Sequence, residues 1–404
     1  MGELFLKENS KEVKAFNFRQ TLPESKTSNQ EPVSHKSSFF WSIYTQVKKS
    51  GCRQMIKFEW FETLTESQAE TLKQFYYSLP LIHVEQYPGW NNLGGDGESV
   101  KYCVAAEDGK LKGYVIVREY KKIEAKIILG PLCKNADDTI GIVLEVIRYY
   151  KKKNYLSLLV LLGMSVGTDA TYIQYSLFKK HRFSWHFDKL NKGTLLLKLS
   201  DRGEEEIVRS FSEGHRRAIK KGLVNNFTCR VLQCPCEIDQ FANGYFEMLD
   251  RRTLSSSLER CKRKMSSIYD WLQKEKKGFF LGLFENEKML GGLLVLFRGE
   301  MAECYCGFSL RDDRKLRINH VTVYEAMKLV KQLGIPYFDL GGYFILVDED
   351  DQVYHINQFK KGFHGEYFFY PPIMYFDLKP FGTSIIRFLK YAKGKITYRK
   401  RISP

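Results

Sequence analysis

The sequence predicts an α/β (α+β) protein made of two similar halves, each a mixed sheet flanked by helices. Three observations predict it. The chain has 404 residues, more than one core of ~250–300 residues accommodates. Its hydrophobic content of 44% and aromatic content of 14% are those of a globular protein. One order of elements, hairpin, strand, helix, strand, occurs in each half without likeness of letters, a repeat of architecture.

The elements follow in order. Residues 1–52 are polar and without period, the composition of a mobile tail, apart from the aromatic patch Phe39–Tyr44 ahead of Lys48-Lys49. That patch reads either as packing on the body or as touching a membrane. The first domain is expected over residues 53–192. Thr65, with Gln68 three residues on, has the form of a capping box that opens a helix. "YCVAAEDGKLKGYVIVREY" sets two apolar runs around Asp108-Gly109, a hairpin signal. "AKIILGPL" is a strand ending at Gly130-Pro131, "DDTIGIVLEVIRYYKKKN" a helix with a broad apolar face, and "YLSLLVLLGM" a buried strand.

The second domain, 193–374, repeats the pattern. "GTLLLKLS" is a strand, and helices are expected within "EEEIVRSFSEGHRRAIKKG", "GYFEMLDRRTLS" and "KMSSIYDWLQKEKKG". "GFFLGLFENEKMLGGLLVLFRGEMAECYCGFS" is a hairpin turning at Glu285-Asn286, plus a third strand. "NHVTVYEAMKLVKQLGI" is a helix closed by Gly334 and Pro336, and "PYFDLGG" is a strand. Residues 375–404 are expected to form a basic helix that returns to the first domain or to a membrane surface.

The formal net charge of +16 argues for an anionic partner, and nucleic acid, a lipid surface and a phosphorylated substrate all qualify. The nine cysteines have no framework spacing, and Cys234–Cys236 and Cys304–Cys306 are each separated by a single residue, unlike zinc-binding pairs. They read as reduced thiols of a cytoplasmic protein without a metal site. Glu3, Lys7, Glu8 and Lys11 break any apolar N-terminal run, so no signal peptide is expected. The most apolar stretch, Leu156–Met164, is far short of the ~20 residues that span a bilayer.

Four basic stretches carry candidate chemistry. On a helix, "SEGHRRAIKKG" sets Arg216 beside Lys220 and Arg217 beside Lys221. Such like-charge pairs cost a few tenths of a kcal/mol each, which an anion across the ridge would offset; a solvated surface helix is the other reading. Arg251-Arg252 and Arg260–Lys264 add basic surface to the same half. From Lys379 to Pro404 the chain has eight Lys or Arg and no acid, with Ile385, Ile386, Phe388 and Leu389 among them. That segment either lies on anionic lipid or packs its apolar side on the body. Finally, "FKKGF", Phe359–Phe363, places two lysines between phenylalanines after the strand, the Gly341-Gly342 break and the acidic turn Asp348–Asp351. Read as extended, it turns Lys360 and Gly362 to one side and Phe359, Lys361 and Phe363 to the other, so only one lysine can line a cleft. It is either a strand with solvated lysines or a cation held where negative charge appears during a reaction.

These stretches resemble the FemABX family, the bacterial nonribosomal peptidyltransferases that build peptidoglycan side bridges. The resemblance covers about Arg53 to Tyr391 and rests on four matches in order: "EQYPGW", "GHRRAIKKG", "YFDLGG" and "FKKGF". It implies two tandem GNAT-like acyltransferase domains. It also implies transfer of an aminoacyl group from aminoacyl-tRNA to the amine of a nucleotide- or lipid-linked muramyl peptide, with no cofactor. By the same resemblance Lys360, beside Phe359, is implicated in transfer; Arg216 and Arg217 hold the acceptor's pyrophosphate; Tyr305 points at that substrate; and Gln86 and Trp90 line the first domain's share of the cleft. Contact with an anionic membrane is a further expectation, at the inner face.

The chain departs from the family's pattern too. The long helical arm of several members has no counterpart, since only Ser255–Tyr269 is available for it. His364 stands where a small residue is common, and the N-terminal tail is an addition. An acyl-CoA-dependent N-acyltransferase is the competing enzyme. It needs a glycine-bearing phosphate loop at a helix start, whereas "SLRDDRKLRINH" has no glycine and "CKNADDTIG" is acidic. A non-enzymatic basic RNA- or membrane-binding protein is the third reading, and it needs neither the lysine between phenylalanines nor the double glycine.

Overall fold

The computed structural model describes residues 56–93, 99–186, 192–252, 254, 256–310, 316–345 and 347–379. The expected tail, its Phe39–Tyr44 patch and the basic segment 380–404 lie outside the described residues. The first-half strands are β1 (Lys57–Phe61), β2 (Ser99–Glu107), β3 (Lys110–Tyr120), β4 (Glu124–Ile128), β5 (Leu132–Cys133), β6 (Ser157–Leu161) and β7 (Ser184–His186). The second half contributes β8 (Lys192–Lys198), β9 (Phe227–Val231), β10 (Gly278–Glu285), β11 (Lys288–Arg298), β12 (Met301–Ser309), β13 (Tyr337–Phe344) and β14 (Glu366–Phe369). They form a second sheet in the order β14-β8-β13-β12-β11-β10-β9. The last strand, β15 (Ile373–Asp377), returns to the first sheet, whose order is β1-β2-β3-β4-β6-β15-β7 with β5 on β3. Each sheet is mixed, with one parallel pair, β4–β6 in the first and β12–β13 in the second. Tyr375–Asp377, expected to open a C-terminal helix, belong instead to β15, where Met374 and Phe376 are buried in alternation.

The helices are α1 (Glu66–Tyr77), α2 (Ala136–Lys152), α3 (Ala170–Lys180), α4 (Glu204–Ser210), α5 (Glu213–Leu223), α6 (Pro235–Arg251), α7 (Leu258–Glu275), α8 (Ile318–Gln332) and α9 (Gln352–Lys361). Local chemistry starts and stops these elements. At α1 the Thr65 hydroxyl accepts from the Gln68 N–H, and the Gln68 side chain accepts from the Thr65 N–H at 2.9 Å, the expected capping box. The β2–β3 turn needs two left-handed residues, and Asp108 (φ 50°) and Gly109 (φ 74°) supply them. Cys234 and Cys236 straddle the start of α6, with Pro235 between them. Their Cα atoms are 5.4 Å apart and the sulfurs are joined. This corrects the reading of a wholly reduced set, because the cap geometry brings the thiols within bonding reach.

The two halves share a core. Leu72, Tyr76, Ile82 and Tyr114 of the first half pack in one cluster with Phe241, Ile268, Phe280 and Leu294 of the second. Along β3 the alternation divides the burial: Tyr114 and Ile116 enter this shared core, while Val115 and Val117 face the first half's own core around Ile142 and Val160. A charged strut crosses the same boundary. Arg298 is wholly buried, donates from Nη1 to the Ile82 carbonyl at 2.8 Å, and pairs with Asp339 and, through Nε at 3.1 Å, with Glu303. Burial, with Arg298 next to it, keeps His83 well below the usual imidazole range, so it is neutral.

Removing one partner of such a cluster strands the others. Arg298→Leu is expected to lower unfolding free energy in urea by about 3–5 kcal/mol, because buried Asp339 and partly buried Glu303 lose their cation. Arg209→Leu, which breaks an exposed pair with Glu205, serves as control and should cost no more than about 0.5 kcal/mol. Equal small losses from both variants would contradict a strut role for Arg298.

Candidate active site

The site is assembled around a break in β13. Asp339 lies in the middle of this apolar strand and is buried. One of its oxygens accepts from the Gly341 N–H at 2.7 Å and from the Thr194 hydroxyl, and the other takes Arg298. These bonds hold a bulge, for the register against β8 passes from Asp339↔Leu196 to Gly342↔Thr194. Gly341 has φ +74°, and a Cβ there would stand 2.6 Å from the Cys304 carbonyl oxygen and 3.7 Å from Lys360 Nζ. The double glycine therefore lets β12 and a lysine close on one piece of backbone.

That lysine arrives on a helix. Phe359–Lys361 were expected to be extended, but they form the last turn of α9, which Asp351 opens by accepting from the Val353 N–H at 3.0 Å. The acidic turn is thus a helix cap. Asn357 and Lys360, one turn apart, both face the end of β13. Asn357 exchanges two hydrogen bonds with the Phe344 backbone, and Lys360 Nζ donates to the Gly342 carbonyl at 2.6 Å. Lys361, about 100° further round, stands 6.0 Å over the Tyr343 ring.

A second bulge lies opposite, in β12. Its register against β11 passes from Cys304↔Val295 to Cys306↔Leu294, so Tyr305 is the extra residue. Glu303, two residues earlier, is paired with Arg298. Burial pushes its carboxyl up to about 7; Arg298 opposes the rise, Asp339 and Glu85 add to it, and the Lys360 ammonium pulls it down. Beyond Tyr305 opens a cleft between the halves, lined by Trp90, Asn91, Arg118, Lys264, Ile268 and Tyr305. The Trp90 and Tyr305 rings meet edge to face at 5.3 Å, and Lys264 Nζ sits 5.9 Å over Tyr305. Asn91 donates to the Glu85 carbonyl at 2.7 Å, while its own amide oxygen is buried without a protein partner. Arg118 and Lys264 bring positive charge to the cleft, and the Glu85 and Glu303 carboxylates also act on Tyr305.

The structure thus brings Trp90 and Tyr305 together and holds Lys360 on the Gly342 carbonyl, from where its charge acts on Glu303. Four expected site residues have other work. Gln86 is buried, accepting from the Ile116 N–H at 2.8 Å and donating to the Ile128 carbonyl at 2.8 Å, so it braces strands and does not line the cleft. Arg216 donates to the carbonyls of Arg209 and Phe211 and closes the end of α4. Arg217 pairs with Glu213 at the surface. The Phe359 ring packs on His215, His320 and Phe363, and its carbonyl is bonded to His215 at 2.8 Å. His215 and not an arginine is the residue that α5 turns toward the closing motif, and a Cβ on Gly362 would collide with its ring.

No protein-family model matches the chain, and no curated protein does. Solved structures do. The crystal structure of FemX is similar over 81% of this chain and 99% of its own length, with a TM-score of 0.66 at 16% identity. The chain has a FemX-like fold. A tandem GNAT protein from the clavulanic acid biosynthesis pathway is similar over 80% of this chain and 99% of that one, with a TM-score of 0.52 at 10% identity. L-PGS from Bacillus licheniformis is similar over 77% and 92%, with a TM-score of 0.52 at 13% identity. Within this FemX-like frame the residues that sequence reasoning missed are Glu303, Asp339, Arg298, Asn91 and Arg118, while Lys264 was read only as part of a basic surface. A charge inside an apolar strand was the available signal for Asp339 and Arg298.

Proposed function

We propose that the protein moves an aminoacyl group from aminoacyl-tRNA to the amine of a nucleotide- or lipid-linked muramyl stem peptide. The observation that carries this reading is Lys360, held on the Gly342 carbonyl at the β13 bulge, together with Glu303 beside the β12 bulge, whose carboxyl burial pushes up to about 7, next to a cleft lined by Arg118 and Lys264. Aminolysis of an ester needs both the cation and the carboxyl. Glu303 takes a proton from the attacking amine as the N–C bond forms. The carbonyl oxygen becomes an oxyanion, which Lys360 stabilises more than it stabilises the ground state. Collapse breaks the C–O bond to the ribose, and Glu303 returns its proton to the leaving oxygen, so the group ends ready for another cycle.

Arg118 and Lys264 take the acceptor's phosphates in this reading, the role expected of Arg216 and Arg217, and Trp90 and Tyr305 form the walls. The first-half helix start argues against coenzyme A as donor. Asn135 already caps α2 by accepting from the Asp138 N–H at 2.9 Å, and Asp137 and Asp138 fill the first turn with negative charge. On this reading the enzyme works in the cytoplasm, where charged tRNA is.

The donor is tested by supplying charged tRNA or acyl-CoA with the same muramyl-peptide acceptor. Product from charged tRNA, lost after ribonuclease treatment, is expected. Product from acyl-CoA that survives ribonuclease would replace this reading with the acyl-CoA enzyme. With tRNA as donor, Arg118→Ala with Lys264→Ala should raise the acceptor KM by about 10-fold or more and leave kcat nearly unchanged, the mark of lost uniform binding. An unchanged KM would remove these two residues from the acceptor site.

A further inference from the structure

The edge of the first sheet, away from Lys360 and its cleft, carries a second unusual surface. Helix α3 buries Ile173 and Leu177 but turns Tyr172, Tyr175 and Phe178 outward, with 52%, 58% and 42% of each exposed. Edge strand β7 adds Trp185, 49% exposed and stacked nearly parallel to Phe178 at 6.2 Å. Single exposed apolar residues need no explanation, but four large aromatics in one ridge do. Phe183 joins this ridge to an adjoining groove, since its ring meets both Phe178 and Trp185.

The groove has an apolar floor and a cationic rim. Leu144, Ile147, Phe183, Phe376 and Leu378 form the floor, and the rim carries Lys151, Lys152, Lys180 and Arg182, with Arg148 paired to Glu145 and His181 kept towards its neutral form by burial and the neighbouring lysines. A single carboxylate, Asp377, lies among the described residues that line it. No described helix is long and apolar enough to cross a membrane, so any lipid contact of these residues is at the surface.

We propose that this ridge and groove dock the protein on an anionic phospholipid bilayer, with the aromatic ridge at headgroup depth and the lysine rim on lipid phosphates. Amphipathic rings beside Lys and Arg are the residue types that partition into a membrane interface. Charge selects the occupant. The chain's own segment after Lys379 has seven more Lys or Arg and no acid, a like charge that opposes placing it on this rim. A second copy presenting the same face is repelled likewise. An RNA backbone matches the rim but leaves the apolar floor and the exposed ridge wet, whereas acyl chains cover both. The inference is independent of the transfer chemistry proposed above.

The test is flotation of the full chain with phosphatidylcholine vesicles, with and without phosphatidylglycerol. Binding is expected with phosphatidylglycerol alone and should fall as salt rises. Each surface Lys near such a membrane contributes about 5-fold in affinity. Lys151→Glu with Lys180→Glu should therefore weaken binding by at least about 10-fold, and Phe178→Ser with Trp185→Ser should weaken it without altering salt dependence. All four side chains are exposed, so melting temperature should stay put. No binding of the wild type, or binding in both double variants equal to that of the wild type, overturns the proposal. So does a loss in those variants of tRNA affinity or of self-association while vesicle binding persists.

Discussion

Lys360→Met is expected to lower turnover by about 100-fold or more while leaving acceptor affinity little changed. The substitution keeps the length and the apolar stem and removes only the cation that sits on the Gly342 carbonyl beside Gly341. Lys361→Met should do far less. The reason is helical and not the alternation of a strand: one residue on α9 turns the side chain about 100°, from Gly342 to the Tyr343 ring. Steady-state kinetics of the two variants separates the cases. Equal and small effects would return both lysines to a structural role, and a large effect at Lys361 alone would move the oxyanion site to the Tyr343 side.

Glu303→Gln has the second large effect. The carboxyl works as a base only when ionised, and it is held at about 7. Wild-type kcat/KM should therefore rise with pH through about 7 and level off above it. The amide variant should lose that limb and fall by about 10²–10⁴-fold. Stability provides an independent readout. A carboxyl whose folded value is raised stabilises the fold fully below its unfolded value of about 4.3, and that contribution is lost as pH rises through the folded value. Glu303→Gln should thus gain stability relative to wild type between about pH 4 and 7. Lys360→Met removes a charge that lowers the Glu303 value, so its residual activity should titrate at higher pH than wild type. A pH profile that is the same in all three proteins would mean that Glu303 is a structural partner of Arg298 and nothing more.

Much of the fold was legible because it is local. The hairpins announce themselves by alternation around Asp108-Gly109 and Asn286, each with a residue in the left-handed region. The α1 cap was readable from Thr65 and Gln68 alone. What was misread depended on one local signal with two meanings. Asp348–Asp351 looked like a solvated turn, yet Asp351 caps a helix, and that changes which side chains share a face with Lys360. What was invisible is non-local. Arg298 meets Glu303, Asp339 and Ile82, and no spacing in the chain announces a partner more than 200 residues away. The contacts of Arg216 were hidden for the same reason: its guanidinium donates to carbonyls that the end of α4 presents. Trp90 and Tyr305 line one cleft, and their cationic neighbours Arg118 and Lys264 come from two elements that sequence alone does not bring together.

The central claim is that a nitrogen nucleophile attacks an aminoacyl ester. The most direct measurement is the mass of a muramyl-peptide acceptor after incubation with charged tRNA and wild-type protein, run beside the same acceptor with its amine acetylated. The free-amine acceptor should gain the mass of one or more aminoacyl residues, and the blocked acceptor should stay unchanged. An equal gain on both would contradict transfer to nitrogen and point to a hydroxyl acceptor, and no gain on either would contradict aminoacyl transfer to this peptide altogether.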